Sequence, residues 1–232
     1  MKARNIIPKA LILLCTLYAM IRMWHWAIGF SFFTQLSNLF AALVVAVQLG
    51  RSLANRKSQS AAVVKFTATV SILVTFLVYL LVLAPIRPGG VIGAYREDGY
   101  ASLCLHLITP LLTLADFLIS DADYPWRPVH SLCALIPPVV YFLFILLLGG
   151  AGVRWYMGMP VPYMFLNYAA PCGWFGIMPE TAGVTTTGIG VFYVMLLLLG
   201  LFCLAGLALI ALARRVERTK RARKSSEAPL SD

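Results

Sequence analysis

Six long apolar runs decide what this chain can become. They lie at about residues 7–26, 31–49, 61–84, 101–119, 129–149 and 189–213, each close to the ~20 residues an α-helix needs to cross a hydrocarbon layer. Backbone polar groups in hydrocarbon must be satisfied within their own element, so such runs fold as helices. The expectation is an all-α integral membrane protein, a six-transmembrane-helix bundle over residues 1–213 followed by a basic, disordered tail over 214–232. Charged residues make up 12% of the chain and hydrophobic ones 60%, against about 25% charged in an ordinary soluble domain. No separate soluble domain fits.

Basic residues flank the runs, and their asymmetry orients them. With the N-terminus inside, fifteen of the nineteen Lys and Arg residues fall on the cytoplasmic side and only Arg22, Arg87, Arg96 and Arg154 fall outside, which predicts that both termini are cytoplasmic. The first run follows Lys2, Arg4 and Lys9 like a signal peptide, but it continues into Arg22, Trp24, His25 and Trp26 without a small-residue cleavage site and reads as a span. In a soluble protein the net charge of +10 would suggest nucleic acid. Here it serves topology, and no nucleic-acid partner is expected.

Four of the five cysteines lie inside apolar runs and Cys172 stands alone in a long loop, so neither a disulfide framework nor a metal site is predicted. No cofactor motif is present: there is no Walker, Rossmann, HExxH or GxSxG pattern. Nor is there an internal repeat of the transporter kind.

Polar residues inside the spans carry the functional signal. The stretch FSFFTQLSNLF at residues 30–40 places Ser31, Thr34, Gln35 and Asn38 on one helix face, and the fourth run does the same with His106, Thr109, Thr113 and Asp116. Pro110 denies the carbonyl of His106 its helical partner and predicts a kink. Both runs start at the outer surface in this topology, with Thr34 about three residues in and His106 about five, so at ~1.5 Å per residue they share a level. Asp116, about 15 Å further along the axis, is too deep to orient the imidazole and reads as a structural carboxylate. A hydroxyl within reach of a histidine is the minimum for nucleophilic catalysis, with Thr34 as nucleophile and His106 as general base. Gln35 and Asn38 are candidate oxyanion donors.

The segments FFTQLSNLF, LHLITPLLTLADFLI and VPYMFLN, in that order within six spans, resemble the androgen-induced-protein and androgen-dependent TFPI-regulating-protein-like family of multi-pass membrane proteins, including its bacterial members. The resemblance implies an intramembrane threonine hydrolase that cleaves fatty acid esters of hydroxy fatty acids. It carries the essential threonine onto Thr34 and the essential histidine onto His106, and adds Tyr163 and Asn167 of the loop as substrate-binding candidates. Bacterial relatives have an acid where this chain has Asn167. No cofactor is implied, and the partners expected are membrane lipids or fatty acyl esters.

Two other classes fit the same residues. A small transporter or proton-pathway protein would use His106 and Asp116 as a relay through the Thr109 and Thr113 stripe. A non-catalytic lipid-binding or scaffold protein would use the polar faces only to hold the bundle together. Arg22 and His25 read as snorkelling residues or carboxylate binders, His130 as an interface histidine, Pro137 and Pro138 as a kink, and Thr67, Thr69, Ser71 and Thr75 as packing contacts. The outer loops contain no N-x-S/T sequon, which fits a bacterial plasma membrane.

Overall fold

The computed structural model describes residues 6–23, 26–53, 60–178, 183 and 185–226. His25, Lys2, Arg4, Arg56 and Lys57, which entered the sequence reading, lie outside them. The chain is all-helical. Its α-helices are α1 (Ile7–Arg22), the single turn α2 (Trp26–Gly29), α3 (Phe33–Leu53), α4 (Ser60–Val78), α5 (Gly90–Leu103), α6 (Thr109–Ser120), α7 (Ile136–Gly150) and α8 (Val191–Ser226).

Five helical segments among the described residues are long and apolar enough to cross a membrane: Phe33–Arg51, Ala61–Leu83, Gly99–Ser120, Pro128–Gly150 and Val191–Arg223. The chain is a multi-pass membrane protein. The first apolar run forms a shorter helix, α1, of 16 residues. Large apolar side chains such as Leu14, Ile21, Leu81, Leu147 and Leu197 are exposed around the bundle, a surface suited to hydrocarbon and not to water.

α4 lies at the centre, packed on α3, α6 and α8. Its sequence explains how it tolerates burial. Thr67, Thr69, Ser71 and Thr75 are all buried, and each hydroxyl donates to the carbonyl four residues back, at 2.8 to 3.1 Å. Small residues admit close neighbours while no hydroxyl proton is left unpaired. Ser37 of α3 meets Thr75 at 2.9 Å. Towards the end of the bundle where α4 begins, Phe66, Phe117, Trp126 and Phe202 form the core; at the opposite end Tyr141, Ile145, Val161 and Leu166 do.

Two spans are interrupted by wide, π-helical turns. α4 ends in one over Tyr79–Leu83, and another, Cys104–Ile108, joins α5 to α6. Pro110 accounts for the second, because it has no N–H to offer the carbonyl of His106 and the ladder widens to a bond from Thr109 N–H to the carbonyl of Cys104. The expected kink therefore takes the form of an extra residue in the turn. Gly99, at φ +68° and ψ −164°, breaks α5 in a conformation essentially reserved for glycine and starts the fourth span.

Pro137 and Pro138, expected to mark a kink, stand where the fifth span changes from 3-10 to α-helix. They sit in the first turn of α7, where a missing N–H costs little, after a tight 3-10 segment over Pro128–Leu135. The N–H of Arg127 donates to Nδ1 of His130 at 2.9 Å, capping that segment. The tail is also corrected: the basic segment expected to fray from residue 214 continues α8 as helix to Ser226. Arg214 donates to the carbonyl of Trp126 at 2.7 and 3.1 Å, Lys220 to that of Leu118 at 3.0 Å, and Arg221 pairs with Glu217 at 2.7 Å. These contacts hold the helix against the neighbouring turn. Residues 227–232 lie outside the described ones.

Candidate active site

Thr34 and His106 line one cavity of about 400 Å³, together with Gln35, Tyr79, Arg87 and Tyr163. Thr34 belongs to the first turn of α3 and His106 to the π-helical turn before α6. Ile28, Ile86 and Arg87, all exposed, also line it and form its rim. The shared level inferred for the two residues therefore corresponds to a shared space. No hydrogen bond joins them among the described residues. Thr34 and the Tyr163 phenol face the same space; partial burial holds the phenol proton more firmly than usual, and Thr34 opposes that shift.

His106 is fixed by groups the sequence reading missed. Its Nδ1 lies 3.0 Å from both the carbonyl and the hydroxyl of Ser102, one turn back. A carbonyl can only accept, so this contact assigns the proton to Nδ1 and leaves Nε2 as an acceptor. The Ser102 hydroxyl lies 3.2 Å from that of Tyr79, and the Tyr79 ring stacks on the imidazole with centroids 3.6 Å apart and planes 11° from parallel. Both π-helical turns thus deliver a ring to the same stack, a placement seen often at functional sites. Ser102, at i−4 of His106, was visible in principle as a helical neighbour; Tyr79, on another span, was not.

The other candidates separate into two groups. Gln35 lines the cavity, and its Oε1 is buried without a hydrogen-bond partner. Tyr163 lines it as well. Asn38 does not: it is fully buried, and its amide N–H groups donate to the carbonyls of Thr34 at 2.9 Å and Leu105 at 3.2 Å. Its donors are spent clamping α3 to the turn that carries His106, so it positions the site and offers no oxyanion bond. Asn167 is also elsewhere. It donates to the carbonyl of Thr185 at 2.8 Å and accepts from the N–H of Ala169 at 3.2 Å, which makes it a brace of the loop between α7 and α8. That loop caps the bundle through Trp155, whose indole donates to the Ser31 hydroxyl at 2.7 Å.

A small apolar chamber of about 60 Å³ shares Thr34, Leu83 and Tyr163 with the cavity and continues between Val78, Leu198 and Phe202. The space around Thr34 is therefore polar on the His106 side and apolar on the other.

A second polar centre is separate. Asp116, fully buried, pairs with Lys9 of α1 and Lys65 of α4, and Lys65 reaches Asp121 at 2.8 Å. Lys9 and Lys65, read from sequence as topology charges at the membrane edge, are instead buried members of this network. Two lysines face two aspartates, so the group can be neutral as a whole, which is how ions survive burial. Asp121 lies just beyond the span; burial pushes its carboxyl up from the ordinary value, and Lys65 opposes that shift. Asp116 is held in this ion-pair network, ten residues along the chain from His106. No cluster able to hold a metal ion is present among the described residues. Comparisons with protein-family models, curated proteins and solved structures find no match.

Proposed function

We propose that this protein is an intramembrane lipid ester hydrolase in which Thr34 is the nucleophile and His106 the general base. The observation that carries the reading is the shared cavity: a hydroxyl and an imidazole from different spans face one space, and the imidazole is held through Nδ1. In the proposed reaction Nε2 of His106 takes the Thr34 hydroxyl proton as Oγ1 attacks the ester carbonyl, and the imidazolium returns it to the departing alcohol. Water then enters, His106 takes its proton as the oxygen attacks the acyl-threonine, and the imidazolium returns that proton to Oγ1 of Thr34 as the acyl–Oγ1 bond breaks and the carboxylic acid leaves. The Tyr163 phenol, protonated at neutral pH, and the Gln35 amide are the donors proposed for the oxyanion. The apolar lining beside Thr34 would meet the first methylenes of an acyl chain, and fatty acid esters of hydroxy fatty acids are the substrate the family resemblance suggests.

The fuller topology belongs to the same reading: α1 is a sixth crossing, both termini lie on the cytoplasmic side, and the setting is a bacterial plasma membrane. α1 at ~24 Å is shorter than a ~30 Å hydrocarbon core, but it packs on α3 and α6 and neutralises Lys9 against Asp116.

The test is hydrolysis of a panel of fatty acyl esters by the purified full chain in detergent, with Thr34→Ala, Thr34→Ser and His106→Ala. The two alanine variants should lose at least ~100-fold in turnover while remaining folded, and Thr34→Ser should retain it. Turnover that survives Thr34→Ala sinks the proposal.

One observation favours a second reading. Lys9 and Lys65 supply the charged partners of Asp116 that a proton pathway would need, and Thr109 and Thr113 lie buried between Asp116 and His106. Proton flux in liposomes that is abolished by His106→Ala, in a protein without esterase activity, would establish it.

A further inference from the structure

The basic extension of α8 meets the turn after α6 in a pocket of about 330 Å³ that neither reading above uses. α8 has 36 residues and so runs ~54 Å, well beyond a ~30 Å hydrocarbon core. Its last turns stand among headgroups or in water. Arg214, Arg218 and Arg221 line the pocket at steps of four and three, which puts them on one face. Opposite them lie Asp123, Tyr124 and Trp126.

The three guanidinium groups are held differently. Arg214 is fixed, with Nε and one terminal nitrogen on the carbonyl of Trp126. Arg221 is tethered to Glu217. Arg218 has no hydrogen-bond or ion-pair partner among the described residues and is exposed at the pocket. Trp126 is a rigid floor: its ring is buried, its indole donates to the carbonyl of Asp121 at 2.9 Å, and Tyr124 leans on it at 4.5 Å. Aromatic rings beside arginines at the end of a membrane bundle are the composition of a headgroup site.

Charge narrows the ligand. Three arginines against Asp123 and Glu217 leave one net positive charge in the lining, which matches a singly charged phosphodiester better than a polyanion. Arginine forks suit phosphate oxygens. We propose that this pocket binds the phosphodiester headgroup of an anionic phospholipid such as phosphatidylglycerol, with Arg218 as the principal contact and Arg214 and Tyr124 as the walls. The acyl chains would lie along the exposed apolar face of α8 below it, where Leu204 and Leu207 project.

The experiment is native mass spectrometry of the full chain in detergent, titrated with phosphatidylglycerol, phosphatidylcholine and soluble glycerophosphate. Arg218→Gln should weaken retention of phosphatidylglycerol about five-fold, the loss expected for one basic residue near a phosphate. Arg215→Gln removes the same charge outside the pocket and should leave retention unchanged. Glu217→Gln raises the net positive charge of the lining and should tighten it. Unfolding midpoints of the three variants should match the parent, since all are surface changes. Equal weakening by Arg218→Gln and Arg215→Gln would mean that only the overall charge of the helix matters, and would overturn the site. Glycerophosphate bound as well as the lipid would overturn its assignment to phospholipid, and so would equal retention of phosphatidylcholine.

Discussion

Gln35 and Ser102 show opposite ways of burying a polar side chain beside one cavity. Ser102 is fully satisfied between Tyr79 and His106, whereas the Oε1 of Gln35 has no hydrogen-bond partner. An unpaired buried acceptor costs about 1–3 kcal/mol. Gln35→Leu should therefore leave the unfolding midpoint unchanged or raise it by a few degrees, while lowering ester turnover if the amide serves the oxyanion; calorimetry and kinetics on one preparation read both. Ser102→Ala removes only one of the two Nδ1 contacts, because the carbonyl remains. Its turnover should fall by about ten-fold, less than the loss expected from His106→Ala. A fall as deep as that of His106→Ala would mean that the hydroxyl, and not the carbonyl, holds the ring. At this scale the sequence was informative where a residue's placement depended on its own helix face, as for Thr34, His106 and Gln35, which line one cavity. It misjudged Asn38 and Asn167, because an amide reads the same whether its donors face a ligand or a neighbouring carbonyl.

The wide turn at Cys104–Ile108 is the element on which the site depends. Pro110→Ala supplies the missing N–H for the carbonyl of His106 and allows the turn to tighten to ordinary α-helix. One residue of register rotates a side chain by ~100°. His106 would then leave the Tyr79 stack, and the variant should unfold no more easily than the parent yet lose most of its activity, a combination visible by thermal melts and ester assay. Gly99→Ala should act the other way. Its φ of +68° costs an L-residue about 1–3 kcal/mol, so the midpoint should drop with the chemistry otherwise unaltered. Runs and prolines made the helices legible, and Pro110 announced an irregularity at His106. The irregularity at Tyr79–Leu83 carries the same marker just past its end: Pro85 follows Ala84, whose N–H reaches the carbonyl of Tyr79, just as Pro110 follows Thr109, and the sequence reading passed over it.

Across the whole molecule, one buried charge group ties α1, α4 and α6 together at the end opposite the cavity. Asp116→Asn would leave Lys9 and Lys65 with only Asp121 between them, and breaking a buried pair in this way costs about 3–5 kcal/mol. Adding Lys9→Met restores the balance, with Lys65 still paired to Asp121. The double variant should therefore melt well above Asp116→Asn alone; if it does not, the network is not held by charge balance. Lys9 and Lys65 were counted from sequence as edge charges because basic residues near span ends usually are, and only the assembled bundle shows a carboxylate waiting for them. The cavity has a wider implication. Its rim includes Ile28 and Ile86, exposed apolar side chains that have no reason to face water. Under the proposed function the ligand enters past them by lateral diffusion, and occupancy would then follow its mole fraction in the bilayer, not its amount per litre. Diluting a vesicle suspension should leave the rate per protein unchanged, whereas diluting the ligand with inert lipid should lower it.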